Sequence, residues 1–176
     1  SSIAWIKDAN DWPNKPDLLL EGGNYCCDDQ GRVWQNENLH LLTTHFNPQV
    51  RQFSTISDTS AATALAAKMA SQIQVKYPEY WPETIRALMV HSANWTKELK
   101  QQFGVEVNAK KQKFQELLRI GGYGVPNLER ALYSASNHCN LIIQREIQPY
   151  FFENNKAKTN EMHLYELPWP KEVLRE

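Results

Sequence analysis

Cysteine is scarce in this chain. There are three, an odd number, with Cys26 and Cys27 adjacent and no framework spacing, which argues against a disulfide-stapled scaffold and suits a reducing compartment. No apolar run approaches the roughly 20 residues that a bilayer-crossing helix needs, and no charged-then-apolar leader opens the chain. A cytoplasmic location is therefore expected, with any signal peptide lying upstream. Excess charge of one sign is lacking too: 19 Lys and Arg face 20 Asp and Glu, a formal net charge of −1, so no global field gathers nucleic acid or an anionic membrane. Cys26-Cys27-Asp28-Asp29 has no second ligand group at C-x-x-C or H-x-x-x-H spacing, and metal binding is not expected. Gly122-Tyr123-Gly124 lacks the third glycine of a dinucleotide fingerprint, Asn127 standing in its place, and no cofactor is expected.

What the chain does have is Ser57 to Met69, SDTSAATALAAKM. A Ser-Asp-Thr-Ser run precedes a helix so poor in polar residues that burial of most of its first three turns is expected. The helix should run to about Tyr77, where Pro78 ends it. Ser, Thr and Asp are the preferred N-cap residues of any helix, so the plain reading of these hydroxyls is capping. The position also has chemical potential. The first backbone N–H groups of a helix lack partners within it, and the summed peptide dipoles favour negative charge there.

The order Thr59-Ser60-Ala61-Ala62-Thr63, followed by a small-residue helix, resembles the nucleophile motif G-T-S-x-A-T-P of the subtilisin-like serine peptidases. Upstream, Lys15-Pro16-Asp17-Leu18-Leu19-Leu20-Glu21-Gly22-Gly23-Asn24 is similar to the family's K-P-D-hydrophobic-A-P-G strand and turn. Downstream, Pro82 to Ala93 resembles its next helix, and Gly121 to Asn127 its G-x-G-x-v-n segment. Four ordered matches span about residues 15 to 136. The family's Gly before Thr is Asp58 here, and its Pro after the second Thr is Ala64.

The resemblance implies that Ser60 attacks the scissile carbonyl, with its own N–H and the Thr59 hydroxyl supporting the oxyanion. It implies the C-terminal half of a three-layer α/β/α fold with a partial parallel sheet over residues 1–137; residue pattern adds a β-rich extension, or the start of a following domain, over 138–176. None of His40, His45, His91, His138 and His163 is followed by Gly-Thr, and Asp28 and Asp29 stand in no D-[ST]-G motif. The catalytic His, Asp and oxyanion Asn are accordingly expected upstream, and the partners expected are a polypeptide substrate and the N-terminal part of the same protein. Two other readings stay open. One is a catalytically inactive subtilase-like interaction module, with Asp58 as the sign of decay; the other is an unrelated α/β domain with a chance Ser cap.

Residue pattern adds local detail. Ile3, Ala4 and Ile6 hint at a short strand or helical turn. Leu18-Leu19-Leu20 reads as a buried strand, and Asn24 to Ser57 as mostly loop with a turn at Asp28-Asp29-Gln30-Gly31 and a possible strand at Leu41 to Thr44. Pro82 suits the first position of a helix carrying Ile85, Leu88, Met89 and Ala93 on one face. Residues 94–120 resemble an insertion in which Lys110, Lys111 and Lys113 form the solvated side of a helix that docks through Phe114, Leu117 and Leu118. Asn127 is expected to cap a helix with Leu128, Ala131 and Leu132 inward. Beyond it, Leu141 to Ile143, Tyr150 to Phe152 and Met162 to Leu167 read as strands, separated by a polar loop from Glu153 to Glu161.

Overall fold

The computed structural model describes residues 15–105, 108–137 and 141–166. The element expected at Ile3 to Ile6, and the residues His138, Cys139 and Leu167, lie outside them. The chain divides into two compact units, Ser1–His138 and Cys139–Glu176.

Among the described residues of the first unit, the Leu18–Leu20 segment comes early. Its Leu19 N–H donates to Gly124 O at 2.9 Å, and Asp17 O accepts from Tyr123 N–H at 2.8 Å. It is half-buried rather than buried and is not a paired strand. A ladder needs a neighbouring strand on at least one side, and among the described residues none lies beside it. The described sheets are all two-stranded and antiparallel, so the expected parallel sheet is not found among these residues.

Two hairpins follow where mostly loop is expected. The strands β1 (Tyr25–Cys27) and β2 (Val33–Gln35) pair with Cys26 opposite Trp34. Asp28 builds their turn: its Oδ1 accepts from the backbone N–H groups of Gln30 at 3.0 Å and Arg32 at 2.8 Å, and its Oδ2 from Arg32 Nε at 2.7 Å. These bonds, the Arg32 N–H foremost, hold its carboxyl below the ordinary carboxylate value. The second hairpin joins β3 (Leu41–Thr44), where a strand is foreseen, to β4 (Phe53–Ile56).

Next comes α1 (Asp58–Lys76), closed by Tyr77 N–H bonding to Ile73 O at 2.9 Å just before Pro78. Proline at the first position starts α2 (Pro82–Ser92), as the sequence suggests. Two further helices, α3 (Lys97–Gln102) and α4 (Lys111–Gly121), occupy the insertion-like stretch, and α5 (Leu128–Asn137) follows the glycine turn. Helices α1, α2 and α5 pack together, with Met69 and Ile73, then Ile85, Leu88 and Met89, then Ala131 as their buried side chains. Of the three residues through which α4 is expected to dock, Leu117 is buried and Leu118 half-buried, but Phe114 is exposed. Tyr77 Oη ties α1 to α5 by donating to Leu132 O.

The expected burial of α1 is corrected. Ala61 is buried, but Thr63, Ala64, Ala67 and Lys68 are exposed and Val75 is 83% exposed. Alanine has the highest helix propensity of all residues, so a run of it propagates a helix whether or not anything covers it.

In the second unit, β5 (Tyr150–Glu153) and β6 (Lys156–Thr159) form a hairpin. The expected polar loop is thus partly a strand. Asn154 and Asn155, at φ +52° and +57°, supply the two left-handed positions of a tight hairpin turn, and these set the pairing even though β6 is polar. Leu141–Ile143 and Met162–Glu166 are not strands, having no ladder partner among the described residues.

Candidate active site

The first turn of α1 is shaped by an abrupt change in backbone direction. Ser57 is extended, with φ −134° and ψ −177°, and Asp58 takes φ +65°. Positive φ is disfavoured for residues with a Cβ, although Asp and Asn tolerate it best. The turn is held from outside by Asp58 N–H, which donates to Gly22 O at 2.6 Å. A Cβ on Gly22 would lie 3.0 Å from Asp58 O, and one on Gly23 would lie 3.4 Å from both Ser57 Cβ and His40 Cα. The Gly22-Gly23 pair therefore lets this segment press against the start of α1.

Ser57 stands at the N-cap position, yet its side chain makes no capping bond. Its Oγ donates instead to Asp58 Oδ2 at 3.4 Å, while Tyr25 Oη donates to Asp58 Oδ1 at 3.4 Å. The plain capping reading therefore fails for Ser57, and the N–H groups of Thr59 and Ser60 keep no cap from it. Thr63 Oγ1 donates to Thr59 O at 2.7 Å, one turn further along.

Ser60 is exposed, and its hydroxyl has no hydrogen-bond partner among the described residues. Thr59 is exposed beside it. The turn thus offers a free alcohol, uncapped amides and the positive end of a 19-residue helix. That combination suits stabilisation of an oxygen anion formed at the alcohol.

The histidines do other things. Asn47 N–H donates to His45 Nδ1 at 3.1 Å in the loop after β3. His91 is exposed at the end of α2, and His163 lies in the second unit beside Tyr165, 3.3 Å from its Oη. His40 packs its backbone toward Gly23 and keeps a buried Nε2 with no partner among the described residues. None of these four bonds to Ser60. Asp28, as described, organises a turn. Cys26 is half-buried and Cys27 exposed, both free, and no group of three His, Cys, Asp or Glu residues able to hold a metal occurs among the described residues.

Two contributors to this turn are not distinguishable in the sequence as such: Tyr25, whose hydroxyl reaches Asp58 from β1, and Gly22, whose carbonyl receives the Asp58 N–H. A tyrosine after a glycine pair carries no signal of a contact 33 residues away.

A family model described as the subtilase family matches residues 1–124. No curated protein and no solved structure matches the chain.

Proposed function

The chain belongs to the subtilase family, the family of subtilisin-like serine peptidases, and from that premise we propose that it is the nucleophile-bearing part of a serine endopeptidase. In this reading a histidine from the N-terminal part of the same protein takes the proton from Ser60 Oγ, held in orientation by an aspartate from that same part. Oγ bonds to the scissile carbonyl carbon, and the resulting oxyanion is met by the Ser60 N–H and the Thr59 hydroxyl. Collapse breaks the C–N bond, the amine leaves with the proton, and water then hydrolyses the acyl-Ser60 ester. Removing one oxyanion donor in such a site typically lowers turnover by about 10²–10³.

The observation that carries this reading is the exposed, unbonded Ser60 hydroxyl on a helix turn whose amides are uncapped. A fluorophosphonate probe tests it. The complete protein should be labelled at Ser60 and its Ser60→Ala variant should not, whereas the 176-residue chain alone should remain unlabelled for want of a base. Labelling of the isolated chain would overturn the assignment of the base to upstream sequence.

A second reading is favoured by Asp58, which puts a carboxylate two residues before Ser60, where it opposes an oxyanion. In that reading the domain is an inactive interaction module, and a complete protein that resists the probe selects it.

A further inference from the structure

Among the described residues, three without the freedom of glycine adopt positive φ. Asn154 and Asn155 do so because their hairpin turn requires it. Asp58 belongs to no hairpin turn. It bears its left-handed conformation at the entrance to α1, two residues from Ser60, where glycine would sit without strain. Backbone strain of this kind gathers at functional positions. What Asp58 adds over glycine is a carboxylate.

That carboxylate is exposed, and two hydroxyls, Tyr25 Oη and Ser57 Oγ, are its only side-chain partners among the described residues. No lysine or arginine neutralises it there, the ion pairs of the described residues being made by other acids. The segment that docks on Asp58 N–H brings a second acid, Glu21, whose Oε1 accepts from Gly23 N–H at 2.8 Å and has no cationic partner among those residues either. Beside the positive end of α1, the acids described around the turn that carries Ser60 are thus without an ion-pair partner among the described residues.

We propose that Asp58 is a specificity-determining residue, whose carboxylate selects peptides with a cationic side chain beside the scissile bond and rejects acidic ones. This rests on the assignment of Ser60 as nucleophile. Ser60 follows Asp58 by two residues, so their Cα atoms stand no more than roughly 7 Å apart, and a peptide whose carbonyl meets Ser60 Oγ lies within a Debye length of the Asp58 carboxylate. At that range one uncompensated charge separates Arg from Glu by roughly tenfold in affinity at low ionic strength, and by less as salt is added.

The test uses the complete protein and three fluorescent peptides differing only in Arg, Gln or Glu beside the scissile bond. Binding is read by anisotropy in the Ser60→Ala background, with and without Asp58→Asn, and cleavage is read separately in the Ser60 protein. Asparagine tolerates the same backbone conformation and nearly the same shape, keeping one acceptor oxygen and turning the other position into an NH2 that a hydroxyl oxygen can accept, so loss of charge is the main change. The expected result is an Arg-over-Glu preference near tenfold that falls at least threefold in Asp58→Asn. An unchanged preference, or binding of none of the peptides, overturns the inference. Because binding needs no turnover, a charge preference without cleavage upholds the role of Asp58 while refuting the peptidase. Cleavage without a preference does the reverse.

Discussion

Substituting Gly122 with alanine tests how the scaffold beneath the candidate site is held. Gly122 ends α4 with φ +54° and ψ −139°, a combination open almost only to glycine. A Cβ there would stand inside contact distance of the Pro16 and Asp17 carbonyl oxygens and 2.6 Å from the Asp17 carbonyl carbon. Those atoms are backbone and cannot rotate away. The conformational cost is about 1–3 kcal/mol and the overpacking cost another 1–3 kcal/mol, so Gly122→Ala should destabilise the first unit by about 4 kcal/mol. At about 2–4 °C per kcal/mol for a domain of this size, Tm should fall by roughly 8–16 °C. Gly31→Ala is the control. Gly31 has φ +75° but nothing within 4 Å of its would-be Cβ, so only conformational strain of about 1 kcal/mol applies. Helical circular dichroism reports on the first unit, where all the described helices lie. Equal losses in the two variants would refute the claim that the Lys15–Gly23 segment is wedged against Gly122. The wedge matters to the site, since the same segment ends on the Gly22 carbonyl that receives Asp58 N–H.

Two further outcomes are expected. Ser92, with no exposed surface, donates to Met89 O at 2.8 Å and accepts from Asn127 N–H at 3.1 Å, so Ser92→Ala leaves a donor at the start of α5 unpaired; the urea midpoint should fall by the equivalent of about 1–3 kcal/mol, and an unchanged midpoint would show that the link between α2 and α5 is carried elsewhere. For Asp17, burial alone would raise the carboxyl, but hydrogen bonds and charges from Lys15 and Arg86, at 2.6 and 3.0 Å, outweigh it and hold the group below 3.8. The folded state therefore binds this proton less readily than the unfolded one. The resulting stabilisation is fully present above pH 3.8 and lost as pH falls through the lowered value. Comparing wild type with Asp17→Asn by denaturation across pH should give a difference of about 1 kcal/mol or less near neutrality that vanishes in acid; a difference that grows in acid would contradict the ion-pair account.

Elements set by local chemistry were legible in the sequence. Pro82 opens α2 and its Ile85, Leu88 and Met89 stripe is buried; Asn127 Oδ1 accepts from Arg130 N–H at 2.7 Å as a helix cap; Pro78 follows the end of α1. Elements set by pairing were not. Val33, Trp34 and Gln35 are all exposed, so β2 shows no alternation, and its strand exists because the Asp28 turn folds it back on β1. The same holds for β6, whose Lys156-Ala157-Lys158-Thr159 carries no apolar face and pairs through the Asn154-Asn155 turn. Alanine misleads in the opposite direction: it builds α1 by propensity, and reading its apolar character as burial overstates how much of the helix is covered. Ser60 and Thr59 were legible as a motif, while Tyr25, which completes the turn, is joined to them only by the fold.

Asp58 is where motif and structure inform each other most. Glycine before Thr-Ser in the subtilase motif is explained by φ +65° and by the close approach of Gly22, so the requirement at that position is one of backbone conformation. A β-branched or bulky residue would meet it only with severe strain, whereas aspartate is among the few side chains that tolerate it. Its remaining cost of about 1–2 kcal/mol is partly offset by a negative charge at a helix N-terminus, about 0.3–1 kcal/mol, and by the Ser57 and Tyr25 hydroxyls. Aspartate here keeps the turn that presents Ser60 and adds a charge two residues before it, so the peptidase and the inactive module differ in what that charge does and not in how the turn is folded.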